Sequence, residues 1–508
     1  MKNKEFKKSK GIKPVGYTEL VRRYSLNVIP HYAQSFIAET GRRRSVIDGH
    51  RKTEIYTRKY DPGDSLGGQL TFALKFEGIN LEVLKAIFSV VDHKELGRFI
   101  KITPSGKYAR KIWFLFEFLM GTELDLEPAK ATNYIDLLEQ ARYHTAKIIP
   151  CRRQKINNNL LGDSRFCPMI RQTEKLKNFV DLQLDKKAKE IIGAYPGKVL
   201  LRAVSYLYTK ETKSSFEIER ATPDQKRAGR FVALLRLADD REFFNKPSLI
   251  ELQQATVDQR FANKDLRSDQ NYVGQTVSFG NEIVHFIAPK AQELPELMDG
   301  MVYAYKRMMS SELHPVLIAS AISFGFVFMH PFEDGNGRIH RFLIHNILAK
   351  KRFTPQGFIF PISATMLRKI KEYDETLELF SKPLLPLVNY KLDSDGGMEV
   401  INDTSLHYKY IDMTVIAERL FGFIQDTIEN ELVSELDFIL DYDKAKSALR
   451  DIVDMPDRLI DLFIRLCIEN QGRLSKNKRK SKFEQLTDEE ITQMEECVRK
   501  AFNKNTGK

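Results

Sequence analysis

The chain has 508 residues, of which 42% are hydrophobic and 29% charged, and its formal net charge is +12. That length exceeds one ordinary core and favours about three compact units, and the composition excludes a disordered polymer. The positive balance asks for an anionic partner, with nucleotide phosphate and nucleic acid both meeting it, while no apolar run reaches membrane-span length.

The amino terminus, MKNKEFKKSKGIKPVG, is basic and lacks the apolar stretch of a secretory leader. Cys151, Cys167, Cys467 and Cys497 are isolated from one another and lack metal-type spacing, so reduced thiols are expected. The reading is a soluble, cytoplasmic protein with no membrane partner.

Residues 1–190 mix helix-like segments, such as 108–120, with turn-rich short-strand stretches, such as 60–71. No catalytic constellation lies there, and the region receives no role. From residue 193 to about residue 390 the pattern becomes mainly helical, with apolar residues at helical spacing over 297–309, 315–329 and 338–350. Residues 393–397, DSDGG, read as a flexible linker. Amphipathic runs over 415–440 and 459–469 then predict a small helical domain across 400–508. The basic run KNKRKSK at 476–482 reads as a solvated surface loop rather than a nucleic-acid contact. The expected fold is mainly α, flanked by a mixed α+β amino-terminal region and a helical carboxy-terminal domain.

Residues 330–341 read HPFEDGNGRIHR. One apolar helix-like run ends at Met329 and another begins near Arg338, so these residues form a polar loop between two helices. Gly335 and Gly337 can take backbone angles closed to other residues, and a loop feeding a helix amino terminus suits phosphate. Arg338 and Arg341, three apart, can turn both guanidinium groups to one side and hold a polyphosphate. Asp334 offers a hard oxygen to Mg²⁺, which needs only one or two carboxylates from a protein. A histidine titrates near neutral pH, so His330 can take the proton of an attacking serine, threonine or tyrosine hydroxyl.

This segment resembles the signature loop of the Fic family, His-Pro-Phe-x-Asp/Glu-Gly-Asn-Gly-Arg-x-x-Arg, with every fixed position filled. At roughly one in twenty per position, a chance match is on the order of 10⁻¹¹ per window. The resemblance implies a Fic-type helical core over about 195–390 and a protein adenylyltransferase. In it a target hydroxyl attacks the α-phosphorus of Mg-ATP and pyrophosphate leaves. Asn336 would help orient the phosphates, and Pro331 and Phe332 would anchor the loop. His340 and His345 lie outside the fixed positions and receive no catalytic role.

Residues 271–287, NYVGQTVSFGNEIVHFI, read as a hairpin turning at Phe279, Gly280 and Asn281. It is similar to the Fic flap, which pairs backbone to backbone with the target segment. Residues 214–220, SSFEIER, resemble the family's inhibitory helix motif, Ser/Thr-x-x-x-Glu-Gly/Asn, with Ser215 and Glu219 in place and Arg220 departing from it. By that resemblance Glu219 would pair with Arg341 and exclude a productive γ-phosphate. The overall arrangement looks like long bacterial Fic proteins. Removal of AMP, transfer of another nucleotide, and a nucleic-acid-binding protein with a vestigial core are the competing readings. Self-modification and a homo-oligomeric state are left open.

Overall fold

A helix buried on almost every side organises the region around residues 330–341. Asn336–Lys350 keeps Ile339, His340, Phe342, Leu343, Ile347 and Leu348 within about a hundredth of full exclusion from solvent, as a helix at the centre of a core must. Ahead of it run Pro315–Ala319, a π-turn at Ser320–Phe324, and Gly325–Met329. The apolar pattern over 315–329 is therefore one helical run with a widened turn, a feature frequent near functional sites.

The chain, known here from a computed structural model, is described over residues 12–278, 281–393 and 396–502. It is mainly helical with small sheets. Its contacts divide into two units. The first contains residues 12–181, 224–353 and 369–422, and the second 182–223, 354–368 and 423–502.

Within the first unit the amino-terminal region builds a four-stranded sheet in the order Ile12–Val15, Ala33–Ala38, Arg51–Thr57, Arg44–Asp48. The middle pair is parallel and the outer pairs antiparallel. Leu81–Val90 and Lys107–Met120 enclose a core that contains Phe88, Trp113 and Phe116. The expectation of short strands over 60–71 is corrected here: Leu66–Phe72 is a helix whose N-cap, Ser65, accepts from the Gly68 N–H. Gly67, which argues for a turn in the sequence, is a packing glycine, since a Cβ there would lie 2.0 Å from the Phe99 ring.

In the second unit Gly197–Ile218 packs on Ile362–Arg368 and Leu432–Ile452. Buried Glu211 accepts from the Ser363 N–H at 2.9 Å and from its hydroxyl, which caps the short helix. Lys210 pairs with Glu431 and Glu435. Phe463, Ile464, Cys467 and Met494 centre the carboxy-terminal core.

Two further expectations change. Residues 393–397 were expected as a linker, but Tyr390–Leu392 pairs antiparallel with Met398–Val400. Asp393 receives the Gly397 N–H on its carboxylate at 2.7 Å, so these residues close a hairpin; Ser394 and Asp395 lie outside the described residues. The basic run Lys476–Lys482 is a short exposed helix, not a loop, because Ser475 caps its first turn. The four cysteines are free thiols. Among the described residues no helix is long and apolar enough to cross a membrane.

Candidate active site

His330 terminates the helix Gly325–Met329 in a left-handed conformation, φ 47°, with its N–H donating to the Phe326 carbonyl at 3.0 Å. Its Nδ1 lies 3.2 Å from the Val327 carbonyl. A carbonyl can only accept, so Nδ1 carries a proton, and in the neutral ring Nε2 is the unprotonated nitrogen. The Phe286 ring, on the second flap strand, stands 6.1 Å from the imidazole centroid.

The residues after His330 hold their own shape. Phe332 is fully buried, and the Asn336 carboxamide clasps it by accepting its N–H at 3.1 Å and donating to its carbonyl at 2.7 Å. Gly335 caps the following helix at φ 90°, and a Cβ there would meet Thr256 Oγ1 and Val257 Cγ1 at 3.0 Å. Glycine answers both demands. The N–H groups of Asn336, Gly337 and Arg338 occupy the first helical turn, where no intrahelical acceptor exists. Three donors thus face out of the loop end, the arrangement that receives an anion.

Around these donors the charges are paired through the motif itself. Arg338 donates to the Thr256 carbonyl and to Asp334 Oδ1, both at 2.7 Å. Its side chain is 4% exposed while that of Asp334 is 57% exposed. Asp334 Oδ1 also accepts the Gly335 N–H at 2.6 Å. Arg341 is buried, with one guanidinium nitrogen 3.4 Å from the Tyr373 hydroxyl. His340 lies against Phe324, ring centroids 4.5 Å apart, and burial pushes its pKa down to about 3. It is a neutral packing group, and His345 is likewise buried.

The flap forms as an antiparallel pair, Tyr272–Ser278 with Asn281–Ile287, irregular between Val273 and Gly274. Asn281 opens the second strand; Phe279 and Gly280 of the expected turn lie outside the described residues.

Sequence reasoning missed four contributors. On the helix Lys246–Thr256, the Gln253 side-chain amide donates to the Asp334 carbonyl at 3.3 Å and the Thr256 carbonyl accepts from Arg338. Arg267 donates from Nε to the His330 carbonyl at 2.8 Å, and Asn271 donates to the carbonyls of Phe332 and Glu333, both at 3.3 Å. Burial lowers the Arg267 pKa to about 10, leaving it charged at neutral pH, and burial raises that of Glu333 while Arg267 opposes the rise. Bonds to backbone carbonyls carry no residue-type signature, so no motif announces them.

In the second unit, Ser215 is buried on the helix Gly197–Ile218, and Glu219 is that helix's C-cap. The helix ends with the Ala221 N–H on the Phe216 carbonyl and the Arg220 N–H on the Glu217 carbonyl, a Schellman closure whose left-handed position is Arg220, φ 54°. That position explains why Gly or Asn suits the motif there, and it gives Arg220 a strained backbone.

Residues 243–348 match the model of the Fic/DOC family. Over 74 residues the chain is 32% identical to the protein adenylyltransferase Fic of Nematostella vectensis, a stretch covering 14% of this chain and 17% of that protein. Over 91 residues it is 33% identical to the protein of the same name from Drosophila virilis, covering 18% and 17%. The match spans 17% of the length of these curated relatives. Among solved structures, a Fic family protein from Desulfovibrio desulfuricans G20 aligns with 55% of this chain and 80% of its own, at 18% identity and a TM-score of 0.37.

Proposed function

We propose that this chain, whose residues 243–348 match the Fic/DOC family model, transfers AMP from ATP to a serine, threonine or tyrosine hydroxyl of a protein. One observation carries the reading: the Nδ1 bond to Val327 leaves His330 Nε2 as a proton acceptor at the head of a loop built to hold phosphate. The acceptor oxygen loses its proton to Nε2 as it bonds to the α-phosphorus, and the bond to the β-phosphate oxygen breaks, releasing pyrophosphate. Arg338, Arg341 and the amides of the first helical turn bind the phosphates, with Gly335 and Gly337 admitting them closely and Asn336 keeping the loop in that shape.

Mg²⁺ fits the donor set, because Asp334 is an exposed carboxylate beside buried arginines and the ion fills its remaining positions with phosphate and water. Bound there, it would neutralise charge on the phosphate oxygens. Ser215 and Glu219 are assigned to restraint of the site by their match to the inhibitory motif.

Transfer of label from ATP tagged on its α-phosphate, compared among wild type, His330→Ala and Glu219→Gly, tests the proposal. The expected result is label in wild type, loss in His330→Ala and a gain in Glu219→Gly. Label that persists without His330 sinks the mechanism, and an unchanged rate in a folded Glu219→Gly protein sinks the restraint.

A further inference from the structure

Arg267 sits where three pieces of backbone meet. Its side chain and main chain reach four carbonyls: Nε to His330 at 2.8 Å, one terminal nitrogen to Asp269 at 2.6 Å, the other to Pro289 at 2.5 Å, and its own N–H to Pro331 at 2.9 Å. Asp269 precedes the first flap strand and Pro289 follows the second. One planar guanidinium therefore spans both roots of the hairpin and the main chain of His330. Asn271 adds a parallel tie from the first root to Phe332 and Glu333, and Gln270 joins the two roots by donating to the Ala288 carbonyl at 2.7 Å.

Geometry separates this cation from the phosphate-binding arginines. It is 3% exposed, and its four hydrogen-bond acceptors are all carbonyl oxygens. A guanidinium presents five N–H donors in a fixed fork, whereas an ammonium is a compact point charge on a flexible stem. Only the fork fixes three acceptors in one plane.

We propose that Arg267 is a positioning residue of the transfer reaction: it locks the flap roots to the His330 backbone, so that an acceptor strand paired with the flap arrives in register with the imidazole. This rests on the AMP-transfer reading. An acceptor segment held by edge-strand pairing inherits its position from the flap, and a displacement of about 1 Å between acceptor and base costs on the order of 10²-fold in rate.

The test uses the full chain with Arg267→Lys and the milder Asn271→Ala. In Arg267→Lys, kcat for protein modification should fall on the order of 10²-fold while KM for ATP moves less than about threefold, since the phosphate-binding groups are untouched. Asn271→Ala should fall in the same sense by roughly tenfold or less. Hydrogen exchange supplies a readout independent of activity: amides of 269–273, 286–290 and 330–333 should speed up together in both variants. Equal losses in kcat and ATP affinity, or faster exchange in only one of those segments or throughout the first unit, would overturn the proposal. If wild type transfers no AMP, the functional reading fails, and the exchange pattern still decides whether Arg267 ties flap to loop.

Discussion

The two ends of the loop 330–341 are held by different means. At the end proposed to hold phosphate, Asp334 receives Arg338 and Asn336 clasps Phe332 inside the motif, while the Thr256 carbonyl receives Arg338 and Gln253 donates to the Asp334 carbonyl from outside it. At its acceptor end, His330 is fixed by the carbonyl of Val327 and by Arg267, 63 residues away, acting on main chain. The proposed phosphate end is held by its own side chains together with the helix Lys246–Thr256, and the proposed acceptor end depends on a strut that also ties the two flap roots. Nucleotide binding and acceptor positioning should therefore fail separately.

The largest expected contrast is between two arginine-to-lysine changes. Arg338→Lys removes a fork shared by Asp334 and the Thr256 carbonyl, and ATP affinity measured by calorimetry should fall tenfold or more, about 1.4 kcal/mol. Arg267→Lys should leave that affinity in place. If both variants lose ATP binding alike, the two ends are one structure and the comparison collapses.

A smaller effect sharpens the cradle. Gly335→Ala adds a Cβ to a residue at φ 90° with Thr256 and Val257 already at 3.0 Å, so denaturant unfolding should show a loss of about 1–2 kcal/mol. A neutral result would mean that the loop backbone relaxes out of the left-handed region.

A further effect, read in stability and not in transfer, concerns pH. His340 is held neutral by burial, its pKa lowered from 6.5 to about 3. Between those values the unfolded chain binds the extra proton, so this residue's contribution to stability is complete above pH 6.5 and shrinks as pH falls toward 3. His31 and His144, both lowered to about 4 by burial, act in the same direction. His340→Phe should flatten the fall in melting temperature between pH 6.5 and 4; an unchanged slope would mean that other groups control it.

What the sequence disclosed follows the same division. The loop between two helices was legible because its polar residues and glycines are adjacent in the chain, and the helices on either side because their apolar spacing is long and regular. The flap strands were legible as two strand-like runs flanking a turn. Arg267 was not, because its bonds end on carbonyls that every residue possesses. The helix Leu66–Phe72 was obscured by glycines that serve packing, and the hairpin around 393–397 by turn residues that a linker and a tight turn share. The two units were hidden as well, since each draws on three separated stretches of chain.

The most direct test of the central claim places the label in two positions of ATP. With wild type and an acceptor protein, label on the α-phosphate should be retained on protein while label on the γ-phosphate leaves with pyrophosphate. His330→Asn keeps a residue tolerant of the left-handed backbone and should lower the α-label rate by roughly 10²–10⁴-fold. Retention of the γ-label, or an undiminished α-label rate in His330→Asn, would contradict AMP transfer through His330.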